Sequence, residues 1–197
     1  MTGATDKQPS RGRPRSQKSR EATLAAVREL LLAEGYSRLS MEGVAAHAGV
    51  SKATIYRWWS SKGELVLEAA QADISIGIVP DTGDAERDIA CAIGQLIDTF
   101  SRPLASIVIF AAITTSGSDP KMAQIFRDRY VYPWRQSAAE ALARANLPRG
   151  RSESDIQFLL DVIVGTVFQR TLVLREPKTS NLLKQLTALI SGDDGSA

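Results

Sequence analysis

The chain of 197 residues contains one cysteine and one histidine. A lone Cys91 excludes an intramolecular disulfide framework and suits a reducing cytoplasm, where it reads as a small buried apolar residue. His47 has no second histidine to pair with and reads as a structural or surface residue. No apolar run approaches the roughly 18 consecutive residues that span a bilayer, and the basic N-terminal stretch lacks the apolar core of a signal peptide. Catalytic signatures are also missing. There is no HExxH, no Cys/His cluster, no GxSxG and no phosphate-cradling glycine loop, and the acidic residues are scattered. Strand and hairpin patterns are absent. The expectation is an all-α, cytoplasmic protein with no catalytic residue, no metal, no cofactor and no membrane partner.

A net charge of +2 conceals an uneven distribution. Residues 1–20 carry Lys7, Arg11, Arg13, Arg15, Lys18 and Arg20 against Asp6, a net of +5, which leaves −3 on the remainder. Such asymmetry points to a nucleic-acid partner. Within this stretch RGRPR at 11–15 looks like the core of an AT-hook. Pro14 discourages helix at Arg13, Gly12 permits close approach, and Arg11, Arg13 and Arg15 suit the negative potential of a narrow A·T minor groove. A disordered solubilising tail is the other reading, and residues 1–19 are taken as a flexible basic arm.

Residues 40–62, SMEGVAAHAGVSKATIYRWWSSK, are the most informative stretch. Ser40 is placed to cap a helix Met41–Ala48, Gly49 falls where a helix ends in the left-handed conformation, and Ser51 caps a second helix through Trp59. Two short helices around a glycine turn make a helix-turn-helix, whose second helix enters the DNA major groove. Ile55 and Trp59 share an inward face. The outer face presents Lys52, Ala53, Tyr56 and Arg57. Ala53 allows close approach and can touch a thymine methyl, while Lys52 or Arg57 can reach guanine acceptors. The hydroxyls of Ser40, Thr54 and Tyr56 suit phosphate oxygens, as does Lys62 at the next helix N-terminus. An ordinary αα-hairpin with a solvated basic face has the same spacing.

Residues 20–70 closely resemble the N-terminal domain of TetR-family transcription regulators. The resemblance runs through AEGYSRLSMEGVAAHAGV and then SKATIYRWWSSKGEL. It implies base contacts from Lys52, Ala53 and Arg57, phosphate contacts from Ser40, Thr54, Tyr56 and Lys62, and a helix-turn-helix domain over 20–64. Gly63 departs from the pattern and should weaken the next helix start by about 1 kcal/mol relative to Ala. The resemblance also implies a ligand-sensing, dimerising helical domain over 65–197, a small-molecule effector, and a repressor that binds a double-stranded operator as a homodimer.

The remaining helices follow from periodicity and punctuation. The first spans Arg20–Glu34 and stops at Gly35. A Ser61/Glu64 capping box opens a connecting helix through about Ile78. Others cover Ala85–Ser101, Leu104–Thr115 (apolar enough to be surrounded), Pro120 to about Ala145 with a kink or interruption at Pro133, Ser154–Leu174, and Ser180–Ile190. Phe110, Phe126, Tyr130, Trp134 and Phe168 are candidates to line a ligand pocket, and they serve equally as ordinary core. The apolar positions of the Ser154–Leu174 helix cover too much of its circumference to face one core. Together with the family's habit of pairing its last two helices, this nominates Ile163, Val167, Leu174, Leu182 and Leu186 for a dimer interface. Two other functions stay open: an architectural DNA binder without an inducer, and a helical enzyme with a DNA-binding head.

Overall fold

The computed structural model describes residues 13–115, 117, 119–145, 152–176 and 180–191. These residues are helical with no strand among them, so the expected all-α class holds. Among the described residues ten α-helices run in chain order: α1 Arg13–Glu34, α2 Met41–Ala48, α3 Lys52–Tyr56, α4 Lys62–Ala69, α5 Ala85–Ser101, α6 Pro103–Thr114, α7 Pro120–Phe126, α8 Tyr132–Arg144, α9 Glu153–Phe168 and α10 Ser180–Ser191. Two π-helical turns, Arg127–Val131 and Gln169–Val173, follow α7 and α9. One compact unit ends at Ala69 and the second begins at Ala70, five residues beyond the boundary read from sequence.

In the first unit α1 packs on α2 and α4, burying Ala26, Val27 and Leu31 with Val44, Leu65 and Val66. α1 starts at Arg13, not Arg20. Pro14 is tolerated because it lies in the first turn, where backbone N–H groups have no intrahelical acceptor. The reading that Pro14 discourages helix at Arg13 therefore does not hold, since Arg13 and Arg15 take helical backbone, and Arg11 lies outside the described residues. Gly35 ends α1 at φ +78°, where an L side chain would be strained.

The second unit is built around α5, which contacts α6, α8, α9 and α10. Ile89, Ile93, Leu96, Ile97 and Phe100 are all buried, as their helical spacing predicts. α4 does not continue to Ile78. Residues 74–80 are non-helical, and three of their backbone donors go to side chains distant in sequence. Ser75 N–H donates to Thr99 Oγ1 at 2.9 Å, Gly77 N–H to Gln95 at 3.5 Å, and Val79 N–H to Ser137 Oγ at 2.9 Å. Those partners stand in for helical bonds across a stretch whose β-branched Ile76, Ile78 and Val79 favour helix least. Asp88 anchors the next turn. Its carboxylate accepts from the Thr82 hydroxyl (2.7 Å) and backbone N–H, and from Arg144 (2.9 Å).

Pro133 interrupts the helix expected from Pro120 to Ala145. It lacks the N–H an α-helix would use there, and the chain absorbs the defect in the π turn just before it. α6 is not fully surrounded, since Phe110 and Ile113 are 55% and 48% exposed. The interface residues read from sequence need correction as well. Ile163, Val167, Leu182 and Leu186 are buried within the chain itself, because they form the face that α9 and α10 turn to their own core. Leu174 alone of that set faces solvent, alongside Phe158, Val173 and Leu189. By length and averaged hydropathy the stretch Glu153–Val173 could cross a membrane, although Asp161 and polar residues interrupt its apolar run.

Candidate functional site

The helix-turn-helix forms from local chemistry. Ser40 Oγ accepts from Gly43 N–H at 3.0 Å and starts α2. Gly49 closes α2 in the left-handed region at φ +64°, and Ser51 Oγ accepts from Thr54 N–H at 3.1 Å to start α3. α3 is shorter than expected. The N–H groups of Trp58 and Trp59 both turn onto Ile55 C=O, at 2.9 and 3.1 Å, so the chain leaves the helix after Tyr56.

Ile55 and Trp59 are fully buried, which fixes the inward face of this segment. On the opposite side Lys52, Ala53, Tyr56 and Arg57 are exposed together. Arg57 makes no ion pair with a described residue. Lys52 is paired with Glu42 of α2, and its ammonium lies 5.8 Å from the Tyr56 ring. The hydrogen bond from Lys52 holds the Glu42 carboxyl below its usual range and raises the Lys52 ammonium. Glu42 was not legible as part of this face, because its pairing runs across the turn and follows no helical period. Ser40 Oγ is already used as an acceptor, which leaves its hydroxyl proton to donate. Thr54 shares a 2.8 Å hydroxyl contact with Ser51.

Lys62 is engaged by the loop before α2. Its ammonium donates to the carbonyls of Tyr36 and Leu39 at 3.2 and 3.1 Å and lies 4.1 Å from the Tyr36 ring. Ser61 Oγ accepts from Glu64 N–H, but the Glu64 carboxylate turns to Ser60 rather than completing the expected capping box. A second set of contacts fastens the end of the α3 segment to α1 and α4. Trp59 Nε1–H donates to Glu68 at 2.8 Å, Arg20 pairs with the same carboxylate, and the Arg20 guanidinium lies 5.6 and 5.9 Å from the Trp58 and Trp59 rings.

The second unit holds an apolar cavity of about 340 Å³. Phe100, Phe126, Trp134 and Phe168 supply an aromatic wall, with Leu96 and Ile109 beside them. Phe100 and Phe168 meet edge to face at 6.3 Å. Of the five candidates from sequence, Phe126, Trp134 and Phe168 line it. Phe110 does not, because α6 turns it to solvent, and Tyr130 does not, because its ring is buried against Phe126 at 5.8 Å. Burial raises the Tyr130 phenol pKa. Arg127 and Arg135 also line the cavity; the latter is held by Asp161 (2.7 Å) and Gln157 (2.6 Å). Among the described residues no cluster of His, Cys, Asp and Glu could hold a metal.

Residues 24–69 match the family model for bacterial regulatory proteins of the tetR family, and residues 79–190 match the Tetracyclin repressor-like C-terminal domain. Over 182 residues the chain is 32% identical to the uncharacterized HTH-type transcriptional regulator YdeS of Bacillus subtilis, covering 91% of each. It is 44% identical over 89 residues to the DNA-binding transcriptional repressor TetR of Mycobacteroides abscessus, covering 44% of this chain and 45% of that one. The crystal structure of the TetR family transcription regulator SCO0332 superposes with a TM-score of 0.58 at 32% identity, over 91% of this chain and 99% of that one. With both halves matched in order by the family models and a relative 32% identical over nine-tenths of its length, this chain belongs to the TetR family of transcription regulators.

Proposed function

We propose that the protein is a ligand-responsive repressor that binds a pseudo-palindromic operator as a homodimer in the cytoplasm and acts without catalytic turnover. The observation that carries this reading is the shared exposure of Lys52, Ala53, Tyr56 and Arg57 on the outer side of a helix whose inner side is locked by Ile55 and Trp59. Lys52 and Arg57 contact guanine edges, and Ala53 lies against the groove floor. Ser40, Thr54 and Tyr56 donate to phosphates. Lys62 holds the loop ahead of Ser40 and so positions that phosphate contact. The basic cluster of residues 1–20 adds sequence-independent attraction.

Dimerisation uses the apolar surface around Phe158, Val173, Leu174 and Leu189, which are 55–67% exposed. A two-fold pair presents two reading helices to two half-sites. The effector occupies the cavity in the second unit. Ile76 lines that cavity and belongs to the segment after α4 whose donors are held by Thr99, Gln95 and Ser137. A ligand that displaces this segment favours a non-binding arrangement, with leverage equal to its differential affinity for the two states.

Selection of random duplexes with the purified protein tests the reading. Enrichment of a pseudo-palindrome, bound far more tightly than scrambled DNA, is the expected result. Uniform binding by a folded dimer, unchanged by any cavity ligand, would instead favour an architectural DNA binder.

A further inference from the structure

Glu42 sets a negative charge beside a face that otherwise presents Lys52, Ala53, Tyr56 and Arg57. It stands in the first turn of α2, two residues after Ser40, and its carboxylate pairs with the ammonium of Lys52, the first residue of α3. The side chains of Glu42 and Lys52 are 65% and 49% exposed, so the pair lies open to whatever the face meets. An exposed pair of this kind adds little to stability, and contact with DNA opens it readily.

Opening the pair frees Lys52 to donate to guanine, which offers it two acceptors, N7 and O6. It also leaves the Glu42 carboxylate without its donor. An ionised carboxylate only accepts, whereas phosphates and the major-groove edges of guanine and thymine offer only acceptors. The donors in that groove are the amino groups of cytosine and adenine. In a G·C pair guanine O6 and the cytosine N4 amino group are joined by a hydrogen bond and so lie about 3 Å apart. A lysine and a carboxylate already in contact match that spacing, with a donor for O6 and an acceptor for N4.

We infer that Glu42 is a specificity-determining residue, its carboxylate accepting from the N4 amino group of the cytosine whose paired guanine Lys52 contacts. This rests on reading the outer face of α3 as the DNA-contacting one. Other base pairs then rank by what they set against the two side chains. A T·A pair keeps the keto and amino groups in order but replaces guanine N7 with a methyl group. A·T and C·G turn a keto oxygen toward Glu42, acceptor against acceptor.

Binding isotherms of the full chain on a duplex selected from a random pool, and on its single-base-pair variants, test this. At one base pair wild type should prefer G·C, then T·A, then A·T and C·G, with about tenfold or more between first and last. Lys52→Ala should relax that same base pair. Glu42→Gln should level the amino and keto classes there, because an amide both donates and accepts. Glu42→Arg, which only donates, should reverse their order. Ratios taken within one variant cancel any general loosening of the fold. Equal strengthening of all four duplexes by Glu42→Gln, with their order kept, overturns the base contact and leaves α3 as the reading helix. An effect at a base pair that Lys52→Ala leaves untouched does the same. If wild type selects no sequence, or Lys52→Ala and Arg57→Ala leave every preference unchanged, the reading of α3 fails and the inference with it.

Discussion

Trp59 and Glu68 are joined by a hydrogen bond from the indole N–H to one carboxylate oxygen at 2.8 Å, while Arg20 pairs with the other. Trp59 is 1% exposed and lies just beyond α3, so this bond ties the end of the α3 segment to α4, and Arg20 extends the tie to α1. Placement of the segment that follows α3 thus rests on a carboxylate nine residues away in sequence.

Glu68→Ala should cost about 1–3 kcal/mol of stability, because it strands a buried indole N–H and a half-buried guanidinium. Operator affinity should fall further than affinity for scrambled DNA, since the register of α3 loosens while its charges remain. Urea unfolding and parallel binding isotherms check both parts. Equal losses on both DNAs would mean that the tie stabilises the unit without positioning α3.

In the proposed function, Lys52 exchanges its Glu42 partner for DNA. Glu42→Gln should strengthen binding to every sequence, and removing the acidic neighbour should steepen the salt dependence by about one unit of log–log slope. Lys52→Ala should cost about 1–3 kcal/mol at the operator and relax specificity at one base pair. Salt-titrated binding to a panel of single-substitution operators separates the two effects.

Asp88 gives a pH signature. The Thr82 hydroxyl bond, followed by the Thr82 N–H and Arg144, outweighs burial and lowers its carboxyl pKa in the folded chain. A depressed folded pKa contributes stability that is present above the unfolded value near pH 4 and lost as pH falls through the folded value. Urea midpoints should therefore decline on acidification, and Asp88→Asn should flatten that decline while lowering stability at neutral pH. An unchanged acid limb in the variant would contradict the assignment.

Phe158→Glu tests the subunit face. Phe158 is 67% exposed, so the variant should keep the thermal midpoint of the isolated chain while shifting sedimentation from dimer to monomer. Ile163→Ala, at a position 3% exposed, should instead cost about 2–5 kcal/mol of folding stability. A fully dimeric Phe158→Glu protein would place the interface elsewhere.

The helix-turn-helix was legible because its signals are local. Ser40, Gly49 and Ser51 each act on backbone groups within a few residues, and the period of Ile55 and Trp59 sets the inward face. α5 was legible for the same reason. The end of α4 was not, since the donors of Ser75, Gly77 and Val79 find partners in α5 and α8 that no local pattern announces. Nor could sequence separate cavity from core or surface. Phe110 and Phe126 look alike as letters, but the packing of α6 sends one to solvent and that of α7 sends the other inward. The same holds for α9, where Ile163 and Phe158 are both apolar and only the packed helix distinguishes the inner face from the outer one.

The most direct measurement is binding of wild type and an Ala53→Glu, Arg57→Ala double variant to the selected operator and to scrambled DNA, across a range of salt. Both positions are exposed, so the fold is retained. The operator preference of wild type, several kcal/mol for a specific regulator, should collapse in the variant while residual salt-dependent binding persists. An intact preference in the variant would show that the outer face of α3 does not read the DNA.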